Sequence, residues 1–114
     1  MKYNKAMKIV RMKTYRLAME GMGLGKSEMR SVERMIAVKP DMHPVIPGLR
    51  GARKARFGLN DTGKRGGGRV VYYVAVAPGI LFFIAAYPKN EQDDLSQEQR
   101  KAILGALESI KGDI

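Results

Sequence analysis

Seven cations, Arg50, Arg53, Lys54, Arg56, Lys64, Arg65 and Arg69, fall within twenty residues and are opposed only by Asp61. A guanidinium grips a phosphate through two parallel hydrogen bonds and an ammonium acts as a point charge, while neighbouring positive charge lowers a lysine pKa toward a usable range. Such a run is suited to bind a phosphate and to stabilise charge that builds up on it. Lys54 and Arg56 stand two apart in a segment of strand character, so they share a face, and Arg53, Ala55 and Phe57 take the other. Arg69 opens the next strand across a hairpin. In that register three cations converge on one phosphate. A basic surface serving only solubility explains scattered charge, not this density.

The rest of the composition narrows the chemistry. Lys and Arg number 21 against 11 Asp and Glu, a net charge of +10 with a pI near 10.1, so a polyanion is the expected partner. The charge is uneven. Residues 1–43 carry +6 and 44–90 carry +7, whereas 91–114 carry −3. The chain has no cysteine and a single histidine, His43. Thiolate zinc sites, disulfides and histidine acid/base pairs are thereby excluded, and neither metal nor cofactor is expected. His43 reads as a solvated loop residue beside Pro44. Gly58, Gly63 and Lys64 match the opening of a phosphate-binding P-loop, but Arg65 follows where Ser or Thr is needed, and Gly66, Gly67 and Gly68 run into a strand rather than a helix. Nucleotide hydrolysis is rejected. The glycines read as a flexible hairpin connection that also lets a phosphate chain approach the backbone closely.

One hundred and fourteen residues make a single small domain over residues 1–114. The elements that must position the cations are legible in outline. Ala6 to Arg11 is an expected first strand and Thr14 to Glu20 a short helix. Ser27 reads as the cap of a helix from Glu28 to Val38, with Met29, Val32, Met35 and Ile36 at helical spacing and Lys39-Pro40 ending the pattern. Ala52 to Phe57 is a strand. Val70 to Pro88 is uncharged over nineteen residues, nearly a membrane span in length, but Pro78-Gly79 divides it into two β-branched and aromatic runs. A hairpin is expected rather than a membrane helix. Ser96 and Gln99 form a capping box before a last helix with Ile103, Ala106, Leu107 and Ile110 as its apolar stripe. The order is β-α-α-β-β-β-α, an α+β domain. The N-terminus lacks the apolar stretch of a secretory signal, and the absence of cysteine favours a reducing, cytoplasmic setting.

Four segments in order carry a family resemblance. Val45-Ile46-Pro47-Gly48, then Arg53-Lys54-Ala55-Arg56-Phe57, then Gly63 to Tyr73 (GKRGGGRVVYY), and last Tyr87-Pro88-Lys89-Asn90 with Asp94-Leu95-Ser96 resemble the successive motifs of RelE/HigB-type toxins of type II toxin-antitoxin systems. The likeness is close over residues 44–96 and extends to the rest in element order. It implies a small antiparallel sheet packed by two N-terminal helices and one C-terminal helix. It also implies ribosome-dependent, metal-independent cleavage of messenger RNA that blocks translation, silenced by a cognate antitoxin expected to be encoded by the adjacent gene. The implied partners are that antitoxin, the ribosome and messenger RNA, with no membrane.

RNA strand cleavage needs a 2′-hydroxyl to lose its proton and attack the adjacent phosphate in line, while the phosphorane charge is stabilised and the departing 5′-oxygen is protonated. Lys54, Arg56 and Arg69 fall where RelE-like toxins place active-site cations. A further arginine that the best-known members carry after the last strand is replaced by Lys89-Asn90, and no tyrosine stands near the start of the last helix. Lys89 is the candidate to replace the missing cation. Tyr87 and Tyr73 are candidates for proton transfer or base stacking, or are half-buried strand residues. The expected catalytic set is Lys54, Arg56, Arg69, Tyr87 and Lys89, with Arg50, Arg53, Lys64, Arg65 and Tyr73 holding RNA. Three alternatives stay open: a ParE-like toxin that inhibits DNA gyrase, a non-catalytic basic RNA-binding module, and a folded but inactive toxin.

Overall fold

The computed structural model describes residues 7–58, 67–75, 79–92 and 94–113. Strand β1 (Lys8–Arg11) leads into helices α1 (Lys13–Gly21) and α2 (Lys26–Val38), then β2 (Arg53–Phe57), β3 (Gly68–Ala75), β4 (Ile80–Pro88) and α3 (Gln97–Asp113). The order and the α+β class are those expected from sequence. The apolar runs either side of Pro78-Gly79 form the antiparallel pair β3 and β4, although Pro78 itself lies outside the described residues. No described helix is long and apolar enough to cross a membrane.

The sheet order is β1-β4-β3-β2. Strands β2, β3 and β4 are antiparallel, whereas β1 runs parallel to β4, pairing Lys8 with Ile80 and Arg11 with Phe83. The sheet is therefore mixed rather than wholly antiparallel. Only strands joined by a tight turn must be antiparallel, and two helices and two strands separate β1 from β4. Helices α1 and α2 cover one face through Tyr15, Met19, Met29, Val32 and Ile36, packed on Phe57, Val70, Tyr72, Leu81 and Phe83. Helix α3 covers the other through Ile103, Leu107 and Ile110 on Val71, Ile84 and Tyr87.

Three local expectations need correcting. Ser27 is not the cap of α2: Gly25 is, and its N–H donates to Glu28 Oε1 at 2.8 Å, so the helix starts one residue earlier than Ser27. On the same helix Met35 is exposed, and the core position one turn after Met29 is filled by Glu33. His43 is only partly solvated. It sits edge-on to Tyr72 with ring centroids 6.2 Å apart and a buried Nε2, and burial, reinforced by Arg53, pushes its pKa down.

A charged residue on the core face of α2 is tolerated because it is fully partnered. Glu33 accepts from Arg11 Nε at 2.8 Å and Nη2 at 2.9 Å, a bidentate pair, and from the Tyr15 hydroxyl at 2.7 Å. The triad ties β1, α1 and α2 together. Burial, then Glu33, raises the Tyr15 pKa, so the phenol stays a donor. Removing one member of a buried pair strands the other. Glu33→Ala should therefore lower the unfolding free energy by about 2–4 kcal/mol, less than for a wholly buried pair because Arg11 reaches solvent. Urea denaturation at neutral pH measures this, and a loss below about 1 kcal/mol, the range of surface pairs, would make the triad a bystander.

Candidate functional site

Strand alternation decides which side chains can meet. Arg56 pairs with Arg69 across β2 and β3, and Arg69 with Tyr87 across β3 and β4, so the three stand in one row on the α3 face. Lys54 lies on the same face two residues along β2, opposite Val71. Neighbouring strands are about 5 Å apart, so the row is compact. It grades from exposed Arg56 to Arg69 at 6% and Tyr87 at 2% exposure.

Tyr87 joins the row only because of a bulge. Leu81, Phe83 and Tyr87 share odd parity, and in a regular strand all three would face α1 and α2. The register shifts between Val71 and Tyr72: Tyr72 opposes Phe83 but Val71 opposes Ala85, leaving Ile84 as the extra residue. Alternation is inverted from there on, and Tyr87 emerges beside Arg69.

The glycines before Arg69 have a packing reason. A Cβ on Gly68 would strike the Phe57 ring, and one on Gly67, which has a φ of +56°, would strike the Phe57 carbonyl. Bare backbone at these two positions lets Phe57 lie across the start of β3, bringing β2 and its cations close. The Lys89 N–H donates to Gly67 O at 3.0 Å, tying the end of β4 to the same place. Lys89 follows Tyr87 by two residues, beyond the last ladder pair, and is partly buried.

The electrostatics of the row are unusual for a purely structural sheet. Two arginines directly opposite on antiparallel strands repel. Among the described residues no carboxylate lies within ion-pair distance of Arg56, and Arg69 Nη1 donates to the Gly68 carbonyl at 3.1 Å. Burial, reinforced by Asp94, raises the Tyr87 pKa, so its hydroxyl is a proton donor at neutral pH. That hydroxyl is buried and has no hydrogen-bond partner among the described residues. An unpaired buried hydroxyl costs about 1–3 kcal/mol, which a ligand atom would offset.

Two further side chains stand at this place without any periodicity or chemical motif in the sequence that marks them. Asp94, just before α3, approaches Lys54 Nζ at 3.6 Å. The Leu95 N–H foremost, then Lys54 and Arg100, hold its carboxyl below the usual carboxylate range, so it is ionised. Arg100, in the first turns of α3, donates from Nη1 to the Pro47 carbonyl at 3.2 Å. The only sequence signal for Asp94 was its position inside one of the quoted segments, and for Arg100 there was none.

The remaining candidates are placed elsewhere. The guanidinium of Arg53 donates to the carbonyls of Asp41 at 3.1 Å and His43 at 2.7 Å, clamping the loop after α2. Tyr73 is four residues from Arg69, about 13 Å along the strand, and its ring carries Lys111 Nζ at 5.1 Å from the centroid. Lys111 also donates to the carbonyl of Arg50, an exposed residue with a φ of +50°. Lys64 and Arg65 lie outside the described residues. Among those residues no group of three or more His, Asp or Glu side chains is placed to hold a metal ion.

A four-stranded sheet in this order, with two N-terminal helices on one face and a C-terminal helix on the other, is a RelE-like fold. The architecture is similar to that of a variant of the E. coli toxin RelE, solved in the free state with two arginines replaced by alanine, at a TM-score of 0.50 and 15% identity over 77% of this chain and 88% of that one. No family model matches the sequence.

Proposed function

We propose that this protein is the toxin of a type II toxin-antitoxin system and stops translation by cutting messenger RNA on the ribosome. The carrying observation is the row of Arg56, Arg69 and Tyr87 beside Lys54: like charges set opposite one another, with a protonated phenol at the buried end. The row offers what a phosphorane needs. Arg56 and Arg69 grip the non-bridging oxygens, and Lys54 lowers the pKa of the attacking 2′-hydroxyl, whose proton passes to water. Tyr87 donates its proton toward the departing 5′-oxygen. Lys89 extends the positive field past the end of β4. The RelE-like fold supports the reading, and the motifs over residues 44–96 supply the expected partners: a cognate antitoxin from the adjacent gene, the ribosome and its messenger, in the cytoplasm. No metal or cofactor has a part in this scheme.

Induction of the protein alone should arrest growth and incorporation of labelled amino acids within minutes, and co-expression of the product of the adjacent gene should relieve both. Normal growth at confirmed expression of soluble protein would refute the proposal. Arrest of DNA supercoiling with translation intact would point to the ParE-like alternative.

A further inference from the structure

Asp94 is an anomaly at a site suited to a polyanion. Its carboxyl is ionised and exposed, 3.6 Å from Lys54 Nζ, where it opposes every phosphate that approaches. The ion pair contributes little to stability, because exposed pairs are screened and cost side-chain entropy. Yet the carboxylate is firmly built in. Its Oδ1 accepts the Leu95 N–H at 2.8 Å, and Leu95 is buried in the core on the α3 side of the sheet. Gln92 Nε2 donates to the Asp94 carbonyl and to Gln99 Oε1, both at 2.8 Å, and Gln99 Oε1 also accepts the Ser96 N–H of the capping box. The turn that carries Asp94 is thereby fastened to the first turn of α3. Arg100, whose charge also acts on Asp94, gives Nη1 to the Pro47 carbonyl, and among the described residues Lys54 is the cation within ion-pair distance of the carboxylate.

What a fixed carboxylate supplies here is an ammonium held in one place. Lysine carries its charge on a flexible four-carbon stem. Lys54 stands on the outermost strand of the sheet, partly open to water, and Arg56 and Arg69 on the same face repel it toward solvent. Asp94 counters that repulsion from a rigid point. Activating a 2′-hydroxyl needs the ammonium beside one particular oxygen, and a small misplacement is costly in rate. Resting on the function proposed above, we infer that Asp94 is a positioning residue, which holds the Lys54 ammonium beside the cation row where it activates the 2′-hydroxyl. The sign of the effect sets this role apart. Removing a negative charge from a basic surface by itself strengthens RNA binding, so neutralising a bystander improves the protein, whereas neutralising a positioning group impairs it.

Asp94→Asn is the informative change, because asparagine keeps an oxygen for the Leu95 N–H and loses the charge that holds Lys54. Wild type, Asp94→Asn, Lys54→Ala and the double variant are compared in single-turnover cleavage of ribosome-bound messenger, followed from seconds to hours over a range of protein concentrations. Asp94→Asn should lower the maximal rate by about three- to tenfold, a loss no larger than that of Lys54→Ala, through which it acts. The half-saturating concentration should stay the same or fall. In the Lys54→Ala background the same substitution should cost nothing further, since residues that act through one another are not additive. An Asn variant that cuts as fast as wild type or faster, one impaired only through a higher half-saturating concentration, or a double variant whose loss is the product of the two single losses would overturn the inference while leaving the cleavage reading intact. A wild type that cuts no ribosome-bound messenger would overturn both.

Discussion

Replacing Arg69 by methionine is expected to reduce cleavage of ribosome-bound messenger by about a hundred- to a thousandfold, the range seen when one preorganised donor to a developing negative charge is removed. Methionine is the preferred replacement. Arg69 is 6% exposed, so Arg69→Ala would also leave a cavity, unlike a change at a surface cation. Lys54→Ala and the exposed Arg56→Ala should each lose about tenfold or more, Arg56 the least, because charges in contact with solvent are screened. Tyr87→Phe separates chemistry from stability. It should cut the rate by about tenfold to a hundredfold if the phenol donates a proton, while stability holds or rises, since an unpaired buried hydroxyl is removed. Single-turnover rates and urea denaturation on the same preparations give both quantities. A non-catalytic binding module would show only graded losses of affinity, and four variants as active as wild type would eliminate the site.

Cleavage should also depend on the ribosome by orders of magnitude. Bringing reactants into line accounts for about 7–11 kcal/mol in well-oriented reactions. The site proposed here supplies charge and one phenolic proton donor, which is little with which to orient a flexible strand. A messenger held in the decoding site arrives oriented. With a net charge of +10 the protein should dock on ribosomal RNA, and binding should weaken steeply as salt rises because each phosphate contact releases counterions. The same messenger, free or ribosome-bound, incubated with purified protein and mapped by primer extension, should be cut efficiently only when bound. Equal cutting of both would mark a self-sufficient ribonuclease. Cutting of neither, with gyrase inhibited, would mark a ParE-like toxin.

What could be read directly from the chain was local and periodic. The shared face of Lys54 and Arg56 follows from a period of two. The reciprocal bonds of the capping box, Ser96 N–H to Gln99 Oε1 at 2.8 Å and Gln99 N–H to Ser96 Oγ at 3.1 Å, follow from a spacing of three. The β3–β4 hairpin follows from composition and a turn dipeptide. In each case the interacting residues are neighbours in sequence, and backbone geometry alone dictates which side chains meet. Even local signals mislead when two residues compete for one role, as Gly25 and Ser27 did at the start of α2.

Only the tertiary structure decided the rest, because it depends on pairings across long stretches of chain. The direction of β1 is set by its seat beside β4, seventy residues away. Gly67 and Gly68 are demanded by Phe57 on another strand, a reason invisible in a glycine run. Glu33 is buried because Arg11 and Tyr15 converge on it from two other elements. Arg53 is drawn to backbone carbonyls of the loop it borders, although its charge suggests a phosphate. Tyr87 reaches the cations through the extra residue Ile84, and a one-residue insertion changes every later side chain's face without leaving a mark in composition. Asp94 meets Lys54 because the turn into α3 lies beside the start of β2. Sequence specified which groups were present and which strand faces they share; register, bulge and helix placement, set by packing between distant segments, determined which of them meet.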